Sequence, residues 1–174
     1  MNRGDVKKLA TELAEVIEQL IEMQAELHGI VCEKLEAMRR ADTGAMLAAS
    51  HREGEMTSQA VALDGRRRKI VTELCRAVGL PAAEGAGGVT LRALAGRLEP
   101  ASRHRLLELA GRLREIMLKL AEANRVVELV CREMLVHFKT LFSAMVQKDE
   151  TTPTYSSQGE VGPVAGARVL DAMG

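Results

Sequence analysis

His28 and Cys32 stand four residues apart, the spacing at which two side chains share a helix face and can both bind zinc. A zinc site needs more ligands, and no neighbouring cluster of Cys, His or acidic residues supplies them. The pair therefore reads as structural, and neither metal nor cofactor is expected. Cys131 and His137 are six apart and point in different directions on a helix, which does not assemble a thiol–imidazole nucleophile. Gly85-Ala86-Gly87-Gly88 lacks the Lys-Ser/Thr that completes a phosphate-binding loop, so it reads as a connector. No G-x-S-x-G and no H-E-x-x-H occurs. The densest basic run is Arg66-Arg67-Arg68-Lys69. Four consecutive helical residues point around most of the cylinder, so the run predicts a solvated face plus one interhelical ion pair, from Arg67 to Glu12 or Glu15. No catalytic residue is assigned and an enzyme is not expected.

What remains is the chemistry of apolar contact. Met134, Phe138, Leu141, Phe142 and Met145 gather near the end of a long helical pattern. Two readings stand: ordinary core packing, or an adaptable docking surface, since methionine tolerates varied partners. Beyond the helix, Lys148 to Gly174 is rich in Thr, Ser, Pro and Gly, yet carries the sole tyrosine, Tyr155, in Thr154-Tyr155-Ser156-Ser157-Gln158-Gly159-Glu160. An aromatic in a pliant tail suits docking to another protein.

Composition agrees with a scaffold of helices. The 174 residues suffice for one domain. Hydrophobic residues make up 47% and aromatics 2%, so Leu, Val, Ile, Ala and Met must fill the core. Twenty-four basic and 24 acidic side chains cancel, which argues against a nucleic-acid partner. Cys32, Cys75 and Cys131 are odd in number and scattered, as expected of free thiols in a reducing compartment. The charged, amphipathic N-terminus has no signal-peptide stretch, and no run is apolar and long enough to cross a bilayer. A cytoplasmic location is expected.

The elements that position these residues follow from periodicity. A first helix is expected from Asp5, as N-cap, to near Arg40, with Val6, Leu9, Leu13, Val16, Leu20, Met23, Leu27 and Ile30 as its seam. Ala10, Ile17, Val31 and Met38 widen that face enough for two neighbours. Ala41-Asp42-Thr43-Gly44 reads as a break, with Asp42 or Thr43 capping a second helix that stops at Gly79 ahead of Pro81. So short a connection implies an antiparallel hairpin. Thr90 caps a short helix from Leu91 to about Leu98, and Glu99-Pro100 ends it.

Residues 101–146 then read as one helix. Leu106, Leu109, Leu113, Ile116, Leu120, Ala123, Val127, Val130, Met134, His137, Leu141 and Ala144 step by threes and fours. At about 1.5 Å per residue, some 45 residues reach about 68 Å, so part of this helix is expected to project, bend or pair with another chain. The expected fold is all-α: an antiparallel bundle of long, coiled-coil-like helices over residues 1–147, with a short connecting helix, and a flexible tail over 148–174. Pro163, Val164, Ala167, Leu170 and Met173 have the spacing of one weak helix in that tail.

This layout resembles the FlgN-type flagellar export chaperones. The resemblance covers most of residues 5 to 160. It rests on LDGRRRKIVTELCRAVGL in the second helix, VTLRALAGRL in the short one, AEANRVVELVCREML in the long one, and PTYSSQGE in the tail. In these, Asn124 matches the family's asparagine ahead of a hydrophobic run, and Tyr155 with Gly159 matches its tail signature of a tyrosine followed four residues later by glycine. Val127 stands where the family often has a second asparagine, and Asp64 is an approximate match to an acidic position. The resemblance implies a cytoplasmic chaperone of the flagellar type III export apparatus, with no cofactor. Its clients would be hook-associated proteins of the hook–filament junction, whose terminal helices it would mask before export. It further implies client contact along the long helix, through Asn124, Val127, Met134, Phe138, Leu141, Phe142 and Met145. Docking at the export gate would use Tyr155 and Gly159, a peripheral contact with the membrane apparatus.

Two rival readings come from the residues themselves. The heptad seam also suits a structural coiled-coil adaptor or homo-oligomer with no export role. A small helical enzyme of the chorismate-mutase kind would need cations converging in a bundle pocket, where only Arg67 is suitably placed.

Overall fold

Alanine decides how the two longest N-terminal elements meet. In a computed structural model, which describes residues 3–81 and 90–149, helix α1 runs Arg3–Arg39 and α2 runs Thr43–Val78. Ala10, Ala14 and Ala37 of α1 and Ala49 and Ala60 of α2 are all buried. Side chains this small allow two helix axes to approach closely, and α1 against α2 is the most extensive helix pairing among the described residues. A short helix, α3, spans Leu91–Ala95, and α4 spans Pro100–Asp149. There is no strand among the described residues; the fold is an all-α bundle of long helices. A first compact unit extends to Val127, and a second begins at Glu128.

Caps set the helix ends. The Asp42 side chain accepts a hydrogen bond from the Ala45 amide at 2.9 Å, so Asp42 starts α2 as expected. Thr90 does the same for α3 through the Ala93 amide at 3.2 Å. Two differences stand out at the ends of α1. Asp5 lies inside its first turn instead of capping it, where a carboxylate favours the helix dipole. The turn to α2 is made by Arg40–Asp42, while Gly44 lies within α2. The left-handed residue of that turn is Ala41, at φ 52°. Asp42 N–H bonds to the Ala37 carbonyl at 3.0 Å, and Ala41 N–H to Met38 at 3.1 Å. Helix α2 ends the same way on Gly79, φ 72°, with Leu80 N–H reaching Cys75 at 2.9 Å. Both are Schellman turns, one with glycine at the left-handed site and one without.

The main core lies in the first unit. Leu13 and Ile17 of α1, Leu74 of α2, Leu94 of α3 and Leu106 of α4 are fully buried together. Each such side chain contributes about 1.5–3 kcal/mol by leaving water. Helix α3 stops at Ala95 rather than Leu98, because the chain turns over Gly96–Leu98. Arg103 secures that turn. It donates Nε–H to the Ala95 carbonyl at 3.1 Å, which also accepts Leu98 N–H, and Nη2–H to the Gly96 carbonyl at 3.0 Å, and so pins the carbonyls at the end of α3.

Ion pairs fix the register. Glu12 meets Arg66 at 2.8 Å, and Glu33 and Lys34 meet Arg52 and Glu53, which is the antiparallel order. Glu18 pairs with Arg105 of α4 at 3.1 Å. The interhelical partner of Glu12 is thus Arg66, not Arg67. Arg67 instead reaches back to Asp64 at 2.7 Å, as does Arg68. Two of four consecutive cations share one carboxylate on their own helix.

Candidate functional site

The seam of α4 changes its surroundings along its length. Leu106 and Leu109 are 1% and 2% exposed. Leu113, Ile116, Leu120, Ala123, Val127, Val130 and Met134 are half-buried, and His137, Leu141 and Ala144 are exposed. The residue types hardly change over these steps; the burial does.

The exposed end is broad and apolar. Phe138, Leu141, Phe142 and Met145 are 59%, 47%, 64% and 68% exposed. With half-buried Met134 they fall at positions 0, 4, 7, 8 and 11 of a helix, which spans about 100° of its circumference. Val127 and Asn124 complete the seven contact residues expected from sequence. Val127 is half-buried and Asn124 exposed; both belong to the first unit, the other five to the second. A cleft of about 470 Å³ lies along Phe138, Lys139, Phe142 and Ser143. Tyr155, Gly159, the Gly85–Gly88 run and the Pro163–Met173 pattern lie outside the described residues.

Two features were missed from sequence. Leu135, also exposed, widens the apolar face at its edge. Leu129 and Val136, one heptad apart, are exposed on the opposite side of α4. Their seven-residue spacing was the available signal, masked by the charged residues between them.

The polar candidates are less organised. Cys32 Sγ lies 3.8 Å from His28 Nε2, and no group of three or more metal-binding side chains occurs among the described residues. Cys75 is buried, which pushes its thiol up from the usual range and keeps it protonated. No polar or charged side chain is buried among the described residues. No helix among them is long and apolar enough to cross a membrane.

Among the described residues, the end of α4 exposes an apolar helix face on an all-α scaffold, the kind of surface that helix-to-helix contacts use. The chain belongs to the FlgN family of flagellar export chaperones: the sequence model of that family, described as FlgN protein, matches residues 1–162. No match was found among curated proteins or solved structures. The family is one of chaperones, not of enzymes, and its work is the export and assembly of the flagellum.

Proposed function

We propose that the chain is a cytoplasmic type III export chaperone that binds the terminal helices of hook-associated proteins, shields them, and delivers them to the export gate. The observation that carries this reading is the exposed face of Phe138, Leu141, Phe142 and Met145. A client helix that is amphipathic, and not yet paired in an assembled filament, exposes a stripe of its own. Laying the two stripes together removes both from water, a helix-in-groove contact that needs no nucleotide chemistry. The two phenylalanines supply large anchors and Met134 and Met145 adapt to differing client surfaces. Release follows from the modest size of one helix face. Tyr155 and Gly159 would make the contact with the gate, apart from the client face.

The test is the affinity of the full chain for a hook-associated protein. Phe138→Glu is expected to weaken binding by about tenfold or more while circular dichroism shows unchanged helicity, because the residue is already exposed. Unchanged affinity would move client binding off this face. Tyr155→Ala is expected to keep client affinity and reduce motility; full motility would remove its role at the gate. A persistent dimer by light scattering that ignores clients would favour the adaptor reading.

A further inference from the structure

Where the start of α1, the end of α2 and the turn into α4 meet, the first unit opens a cavity of about 500 Å³. Its floor is apolar: Val6 and Val78 are half-buried, and Ala10 and Leu98 are buried. Its charged lining is Arg3, Lys7, Arg97 and Glu99, all exposed. Elsewhere in this unit Arg52, Arg66, Arg67, Arg68 and Arg105 each hold a carboxylate. Among the described residues, the side chains of Arg3, Lys7 and Arg97 hold none. Glu99 balances one of the three, which leaves the cavity with surplus positive charge.

That surplus is local, because the chain as a whole is neutral. It also opposes the needs of α1. Arg3 and Lys7 stand one turn apart on the same face, where like charges repel, and cations at the start of a helix oppose its dipole. Asp5 of the same turn does not line the cavity; two residues along a helix place it roughly opposite both cations. A local rule broken without gain inside the fold points to a contact outside it.

Charge and floor together select the occupant. A free phosphate would answer the cations and leave Val6 and Val78 uncovered. A membrane surface is met by apolar side chains that project beyond the cations, whereas here they lie beneath them. A peptide supplies carboxylates and an apolar side chain side by side. We propose that this cavity is a protein-docking site for an acidic segment of a partner, with an apolar side chain between carboxylates. The apolar side chain would enter over Val6 and Val78, and the carboxylates would meet Arg3, Lys7 and Arg97. The cavity shares no residue with the face proposed for client helices, so the inference stands without that reading.

Fluorescence anisotropy with the full chain tests this. The probe is a labelled synthetic peptide with Leu between two Glu in a Gly-Ser frame; one twin has Gln for both Glu, the other Ser for Leu. The Gln twin is expected to bind about fivefold more weakly and the Ser twin about tenfold more weakly. Arg3→Gln, Lys7→Gln and Arg97→Gln combined should weaken the parent peptide by about tenfold, with helicity unchanged by circular dichroism because all three are exposed. Phe138→Glu should leave it unchanged. Equal binding of the Gln twin, or full binding by the triple variant, overturns the proposal. Equal binding of the Ser twin overturns it by reducing the cavity to a plain anion site. Loss of the peptide in Phe138→Glu overturns it by returning binding to the end of α4. Phosphatidylserine vesicles that bind the chain but not the triple variant, while the peptide binds neither, overturn it in favour of a membrane surface.

Discussion

The beginning and the end of α4 carry the same seam and meet opposite fates. Leu106 and Leu109 sit in a core with Leu13, Ile17, Leu74 and Leu94. Leu141 and Phe142, at equivalent steps, face solvent. Heptad spacing specifies that a helix has an apolar face; it does not specify what covers that face. In the first unit the cover is built in, because α1 has a face wide enough for two neighbours and α3 closes beneath it. In the second unit the described residues contain one helix only, and a single helix cannot bury its own stripe. On the proposed function, that stretch is where an exchangeable partner would gain most from binding.

Substitution at matched leucines breaks this comparison most directly. Leu74→Ala is expected to cost about 2–5 kcal/mol, because it removes fully buried atoms and leaves a cavity. Leu141→Ala should stay within about 0.5 kcal/mol, since the removed atoms already meet water, yet should reduce client affinity. Thermal unfolding followed by circular dichroism measures both. Equal losses of stability would mean that the end of α4 is covered in solution, and that the contrast between the two ends is false.

Much of this was legible in the sequence because side-chain identity encodes it. Asp42, Thr90 and Gly79 end helices by what their own atoms can do, and each was found where expected. The face holding Phe138 and Met145 follows from spacing alone. Its exposure did not, since the same letters describe the buried half of the seam. Arg67 is half-buried in step with Ala60, Ile70 and Leu74, but spacing did not show that Asp64, one turn back on the same helix, takes its guanidinium while exposed Arg66 reaches Glu12. Gly44 drew attention to the wrong position in the first turn, where the left-handed site falls on Ala41. Arg103 could not be read, because its acceptors exist only once Gly96–Leu98 has folded back.

That clamp gives the next test. Arg103→Met keeps the apolar stem and removes the donors to Ala95 and Gly96. A loss of about 1.5 kcal/mol is expected, the worth of charge-assisted hydrogen bonds to backbone, with client affinity unchanged. A fall in affinity equal to that of Phe138→Glu would join the two regions that the comparison separates. Ala41→Gly should act in the opposite direction. Relieving a left-handed non-glycine residue gains more than the added flexibility of the unfolded chain loses, for a net gain of about 0.5 kcal/mol. A lower melting temperature would show that Ala41 does not hold the turn.

The smallest effect concerns acid. Partial burial of Asp64 favours its neutral form, but the hydrogen bonds and charges of Arg67, and then of Arg68, outweigh it and hold the carboxyl below the usual range. A carboxylate lowered in the folded state adds stability above its ordinary pKa near 4, and that stability is lost as pH falls through the lowered value. Asp64→Asn should therefore reduce the melting temperature slightly near neutrality and flatten its decline below about pH 4, so that the two curves converge in acid. The counterpart in the second unit is Glu128, paired with Arg132 at 2.6 Å with both side chains exposed. Glu128→Gln should leave the melting curve close to that of the unaltered chain, since a solvated pair contributes little. If Asp64→Asn and Glu128→Gln shift the acid limb alike, the Asp64 cluster is as solvated as the outer face of α4.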